Sequence, residues 1–128
     1  MITIKNVCSL NGKVETVKLE SNRTTEIDAE GKLTLLPALI DPHVDFCIPG
    51  FEHLEDWKSG AQAAIAGGVT TVFDSPYNLP PCDHLDQLRK KKQRVDEQLS
   101  TAQIPLRNWF YLHASEQHQS DLSLAKVS

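Results

Sequence analysis

The chain of 128 residues is short of several things, and each shortage removes a class of function. It has three cysteines, Cys8, Cys47 and Cys82, an odd and widely spaced set that argues against a disulfide framework and against a C-x-x-C metal knot. No apolar run reaches the roughly 18 residues that a membrane span needs, so none is expected. The opening Met1-Ile2-Thr3-Ile4-Lys5 has neither an apolar signal core nor a cleavage site, which makes the cytoplasm the expected compartment. Basic residues are outnumbered, 13 against 17 acidic, giving a formal net charge of −4 and a pI near 5.7. Such a chain lacks the basic stripe that phosphate backbones require, and nucleic acid is not expected as a partner. Its one dense basic run, Arg89-Lys90-Lys91-Lys92, is flanked by Asp83, Asp86, Asp96 and Glu97 and reads as a solvated helix face.

What remains, 40% hydrophobic and 23% charged residues, is the composition of a globular α/β protein. Ile2–Val7 and Val14–Glu20 alternate apolar and polar residues around Asn11-Gly12, a hairpin signal. Thr24–Asp28 and Leu33–Leu36 add two further extended runs, so residues 1–36 are predicted to form a small antiparallel β subdomain. From Glu52 to Ala66 the residues Leu54, Trp57, Ala61, Ala64 and Ile65 recur at helical spacing until Gly67-Gly68 stops them. Val69–Phe73 follows as a short strand. A second helix is predicted over Asp83–Leu99, capped by Asp83, with Leu85, Leu88, Val95 and Leu99 as its stripe and Lys92 as the interruption. Asn108–His113 reads as a third strand, and the residues up to Ser128 as the start of another helix. Alternating β and α over 37–128 argues for parallel βα units.

Chemistry concentrates between Leu36 and Pro81. His43 and Asp45 follow an apolar, strand-like run, and in an extended chain residues i and i+2 share a face, so both can aim at one cation from a strand end while Val44 packs the other way. Capping or surface hydrogen bonding is the bland alternative for the pair. Cys47 falls on the same side if the strand stays extended, as a third ligand or as filler. Asp74 ends the second strand, either orienting His43 or closing a turn. Cys8 is expected in a buried strand and Cys82 at a helix start. His53, His84 and His118 read as surface residues, and His113 as the end of the third strand.

Leu36-Pro37-Ala38-Leu39-Ile40-Asp41-Pro42-His43-Val44-Asp45-Phe46, then Pro49-Gly50-Phe51-Glu52-His53, then Ala66-Gly67-Gly68-Val69-Thr70-Thr71-Val72, resembles the dihydroorotase branch of the cyclic amidohydrolases. Hydantoinases and allantoinases are similar there too. The resemblance implies the N-terminal part of an amidohydrolase (β/α)8 TIM barrel preceded by a small β-sandwich subdomain. It implies a zinc site to which His43 and Asp45 contribute and hydrolysis or closure of a cyclic amide. Three positions depart from the family's pattern. Asp45 stands where the family writes histidine, Cys47 where dihydroorotases place a carboxylate-binding arginine, and Tyr77 where they place asparagine. Asn78 meets the substrate-binding role in the register of the allantoinase Pro-Leu-Asn phrase.

A complete barrel of this type needs about 250 residues and rarely fewer than 200. The chain is therefore expected to be truncated after about three βα units, without the segments that bring the family's remaining metal ligands, and to lack amidohydrolase activity by itself. Two alternatives stand beside this one. The chain is a catalytically inactive dihydroorotase-like protein that assembles with itself or with an aspartate transcarbamoylase-like partner, or it is a remnant whose uncovered sheet invites aggregation.

Overall fold

The computed structural model describes residues 1–124, and the last stretch of the expected C-terminal helix lies outside the described residues. The chain divides into two compact units, Met1–Pro37 and the residues from Ala38 onward.

In the first unit, β1 (Ile2–Cys8) and β2 (Val14–Leu19) form the hairpin whose turn carries Gly12 at φ 81°. The third strand, β3 (Thr25–Asp28), lies on the other side of β1 and runs parallel to it, with Ile2 opposite Thr25 and Ile4 opposite Ile27. The small sheet is therefore mixed, not antiparallel throughout. Residues 20–24, after β2, carry the chain past the start of β1, where the Thr25 N–H donates to the Met1 carbonyl at 3.1 Å. Leu33–Leu36 makes only an isolated bridge at Thr34, opposite Cys8. Cys8 itself is half-buried, its thiol donating to the Gly31 carbonyl at 3.3 Å, where the strand pattern predicted full burial.

The second unit is a three-stranded parallel sheet in the order β4 (Leu39–Val44), β5 (Val69–Asp74), β6 (Arg107–Phe110), with α1 (Trp57–Ala66) and α2 (Leu85–Ala102) as its crossovers. A 3-10 turn, Glu116–His118, and a short helix α3 (Gln119–Leu124) follow. The first helix begins at Trp57, not Glu52, because Asp56 caps it: its carboxylate accepts the Ser59 N–H at 2.7 Å while its backbone is extended. It stops at Gly67, and Gly68 at φ 84° turns the chain into β5. The third strand ends at Phe110, short of His113.

The core lies between the helices and one face of this sheet. Trp57, with no exposed surface, stands edge-on to Phe46 (centroids 4.7 Å, 87°) and to Phe110 (5.7 Å, 65°), an arrangement that aromatic quadrupoles favour. Ile48, Ala61, Val72, Val95, Leu99 and Leu106 complete the core. Gly60 is needed where α1 crosses Phe46, because a Cβ there would come within 2.7 Å of the ring. The opposite sheet face has no helical cover among the described residues: Phe73 stacks on Trp109 at 6.2 Å, and Ile40 is 63% exposed.

Removal of the α1 cap by Asp56→Ala is expected to cost about 1 kcal/mol of stability at neutral pH. Its hydrogen bonds to Ser59 hold the Asp56 carboxyl below its ordinary range. A depressed folded pKa gives stability that is present above the unfolded value and lost as pH falls through the folded one. The gap between wild type and variant in urea melts is thus expected to close below about pH 4.

Candidate functional site at the strand ends

Parallel strands place their C-terminal ends side by side, and here those ends carry the polar residues. Val44 on β4 is level with Asp74 on β5, which is level with Phe110 on β6. The Ser75 N–H donates to the Val44 carbonyl at 2.9 Å, the Tyr111 N–H to the Asp74 carbonyl at 3.0 Å, and the Tyr111 hydroxyl to the Pro42 carbonyl at 2.8 Å. All three strand ends are tied into one edge.

His43 and Asp45 sit on that edge, both exposed, with Val44 between them packed toward the core. The strand ends at Val44, so Asp45 lies one residue beyond it. Asp45 Oδ1 accepts a hydrogen bond from the Ser75 hydroxyl, which fixes the carboxylate against the β5 loop. The His43 N–H donates to Asp41 Oδ1 at 3.0 Å. Cys47 does not continue alongside Asp45. Its backbone is left-handed (φ 62°), and its thiol turns back to the Asp45 carbonyl at 3.3 Å. Burial, followed by the Asp45 and Asp74 carboxylates, pushes the Cys47 thiol pKa up, away from the thiolate a metal would take.

Beneath the edge is a buried ion pair that the sequence pattern concealed. Lys91, read as part of a solvated basic run, is 3% exposed. Its ammonium meets Asp74 Oδ2 at 2.6 Å and donates to the Ser75 carbonyl and to Asn78 Oδ1, each at 2.8 Å. Three donors find three acceptors. It also stands 5.1 Å above the Phe110 ring. The other Asp74 oxygen accepts the Phe46 N–H at 2.9 Å, so Asp74 faces the helix layer and does not orient His43. Burial pushes the Asp74 carboxyl up, and the Lys91 ammonium and the Phe46 N–H pull against that rise. Helical spacing is the signal that places Lys91 inside: 88, 91, 95 and 99 are the positions of the stripe. Lys92, named as its interruption, points outward and pairs with Asp96 at 2.7 Å.

Asn78 is 5% exposed, with its oxygen taken by Lys91 and its Nδ2 buried without a partner among the described residues. A cavity of about 340 Å3 opens beside it, walled by Cys82, Gln87, Lys90 and Arg94 among others. Tyr77, one residue earlier, is 68% exposed. Cys82 precedes α2 instead of starting it, and burial pushes its thiol up. Asp83 is not the cap of α2. His84 holds that position without a side-chain bond, and the Leu85 N–H donates to Asp121 of α3 at 3.0 Å. His53 lies exposed in the turn before α1 and His113 is exposed beyond β6, whereas His84 and His118, read as separate surface residues, come together around Asp83.

No family model matches the chain. A dihydroorotase of Halobacterium salinarum is 40% identical over 91 residues, 63% of this chain and 22% of that protein. A dihydroorotase of Methanothermobacter thermautotrophicus is 36% identical over 119 residues, covering 89% of this chain and 26% of its own. The protein belongs, as a partial chain, to the dihydroorotase and cyclic amidohydrolase family. An L-hydantoinase (dihydropyrimidinase) from Arthrobacter aurescens has a similar fold, with a TM-score of 0.70 over 94% of this chain and 29% of that one at 20% identity. This family member spans about a quarter of the length of the curated relatives it matches. No helix among its described residues is long and apolar enough to cross a membrane.

The ion pair under the edge is open to direct test. Lys91→Met leaves the Asp74 carboxylate buried without its counter-charge and is expected to cost about 3–5 kcal/mol in urea denaturation. Adding Asp74→Asn is expected to recover part of that loss, so the double variant costs less than the sum of the single ones.

Proposed function

We propose that this chain is one part of a metal-dependent, dihydroorotase-like hydrolase of cyclic amides, with His43 and Asp45 as two of the ligands of a zinc ion. The observation that carries the reading is the position of the pair. They are the exposed donors at the C-terminal edge of a parallel sheet, where open α/β folds bind their ligands. One imidazole and one carboxylate suit zinc chemically. Two donors are half of a tetrahedral set, so the residues present fit a corner of the site and not a complete one. Bound there, zinc would supply an activated water and polarise the amide carbonyl.

What this chain's own residues do follows from their contacts. Ser75 holds Asp45 in place, and Lys91 with Asp74 keeps the β5 loop rigid beneath it. The unpartnered Nδ2 of Asn78 is the donor available to a substrate oxygen from this loop. The uncovered sheet face, with Ile40, Phe73 and Trp109, supports a (β/α)8 barrel in which further βα units close over it. The division at Pro37 supports a separate β subdomain before that barrel.

Zinc content separates this reading from its rivals. The wild-type chain is expected to bind one more zinc equivalent than the His43→Ala/Asp45→Ala variant, and equal content in the two would overturn the metal role. The 128-residue chain alone is expected to show no dihydroorotate hydrolysis above background, because the remaining ligands lie elsewhere. His43-dependent turnover by the isolated chain would show that the corner suffices.

A further inference from the structure

At the start of α2 the fold gathers a second set of donors, which includes neither His43 nor Asp45. Asp83 and His84 immediately precede the helix, and His118 closes the 3-10 turn after β6. The two imidazoles address one carboxylate: His84 Nδ1 is 2.9 Å from Asp83 Oδ1, and His118 Nδ1 is 3.3 Å from Asp83 Oδ2. The rings lie 4.8 Å apart at 32°. One ligand atom from each of the three residues lies within 4.8 Å of the other two.

We propose that Asp83, His84 and His118 form a binding site for a divalent transition ion of the zinc class, separate from His43 and Asp45. Two imidazoles and one carboxylate are the mixture that zinc and its neighbours prefer, whereas magnesium and calcium favour oxygen alone. Bonds of about 2.0–2.1 Å place tetrahedral donors roughly 3.3 Å apart, so the trio contracts a little on loading. The side chains are 23–36% exposed, which leaves an ion a path in and leaves them room to rotate. Three protein ligands leave a fourth position to water.

The placement also gives the ion a task. His118 belongs to the segment after β6, while Asp83 and His84 belong to the loop entering α2. Two bonds already join these segments here: the His113 N–H donates to the Cys82 carbonyl at 2.8 Å, and Asp121 accepts the Leu85 N–H at 3.0 Å. A bound ion would staple the segment onto the helix start, closing a loop of more than 30 residues between His84 and His118.

The test uses the full chain carrying His43→Ala and Asp45→Ala, titrated calorimetrically with zinc chloride. One equivalent is expected to remain, with a higher melting temperature when zinc is present and no comparable effect of magnesium. His118→Gln in that background keeps a side-chain amide able to bond Asp83 and removes the imidazole. It is expected to weaken zinc binding by at least about tenfold while the zinc-free melting temperature stays put. His84→Gln should do the same. Absence of zinc binding in the His43→Ala/Asp45→Ala chain, or binding unchanged by both glutamine variants, would overturn the proposal. Equal zinc content in wild type and the His43→Ala/Asp45→Ala chain would instead count against the strand-end ligands alone.

Discussion

The strand ends depend on a lysine ammonium and an aspartate carboxylate meeting at 2.6 Å, each side chain 1% exposed. Removing two charges from water costs several kcal/mol per ion, and attraction in a low-dielectric interior repays this only when every remaining polar atom is satisfied. Lys91 meets that condition with Asp74, Ser75 and Asn78, and the second Asp74 oxygen meets it with the Phe46 N–H. The pair thereby fixes three things together. It locks the loop after β5, it sets the path of the chain leaving β4, and it anchors α2 from below. A leucine at 91 would pack, but it would leave the Ser75 carbonyl and the Asn78 oxygen without their donor.

From that anchor the exposed edge follows. Ser75 is held by its carbonyl from underneath, and its hydroxyl then holds the Asp45 carboxylate above. Tyr111 reaches from beyond β6 to the Pro42 carbonyl, next to His43. His43 and Asp45 stand above an ion pair whose charged groups are all satisfied, and such support is what holds exposed side chains in position at an edge. The departures from the family pattern fall on the edge and not on the framework. Cys47 is turned away by its left-handed backbone, and Tyr77 projects from the loop.

The membership and the coverage belong together. A family member that spans about a quarter of its relatives keeps the helix-covered face of its sheet well packed around Trp57, while the opposite face keeps aromatic and aliphatic side chains without helical cover. Hydrophobic burial explains the asymmetry: α1 and α2 are both crossovers on one side of three strands, and the described residues contain no long element for the other side.

The sequence by itself determined the alternation of strands and helices after residue 37, the hairpin at Asn11-Gly12 and the family phrases around His43. Each of these is written in neighbours a few positions apart, through period, turn chemistry or contiguous motif. It also placed Val44 inward and His43 and Asp45 at a strand end, since side-chain direction follows from the two-residue period. Only the tertiary structure decided that Lys91 is buried, that Asp83 pairs with two histidines instead of capping α2, and that β3 runs parallel to β1. In each case the deciding partner is distant in the chain: Asp74 for Lys91, His118 for Asp83, Met1 to Lys5 for β3. A charge looks solvated until the fold brings its counter-charge to it, because local pattern records hydrophobicity and spacing but not the long-range pairing that makes burying an ion affordable.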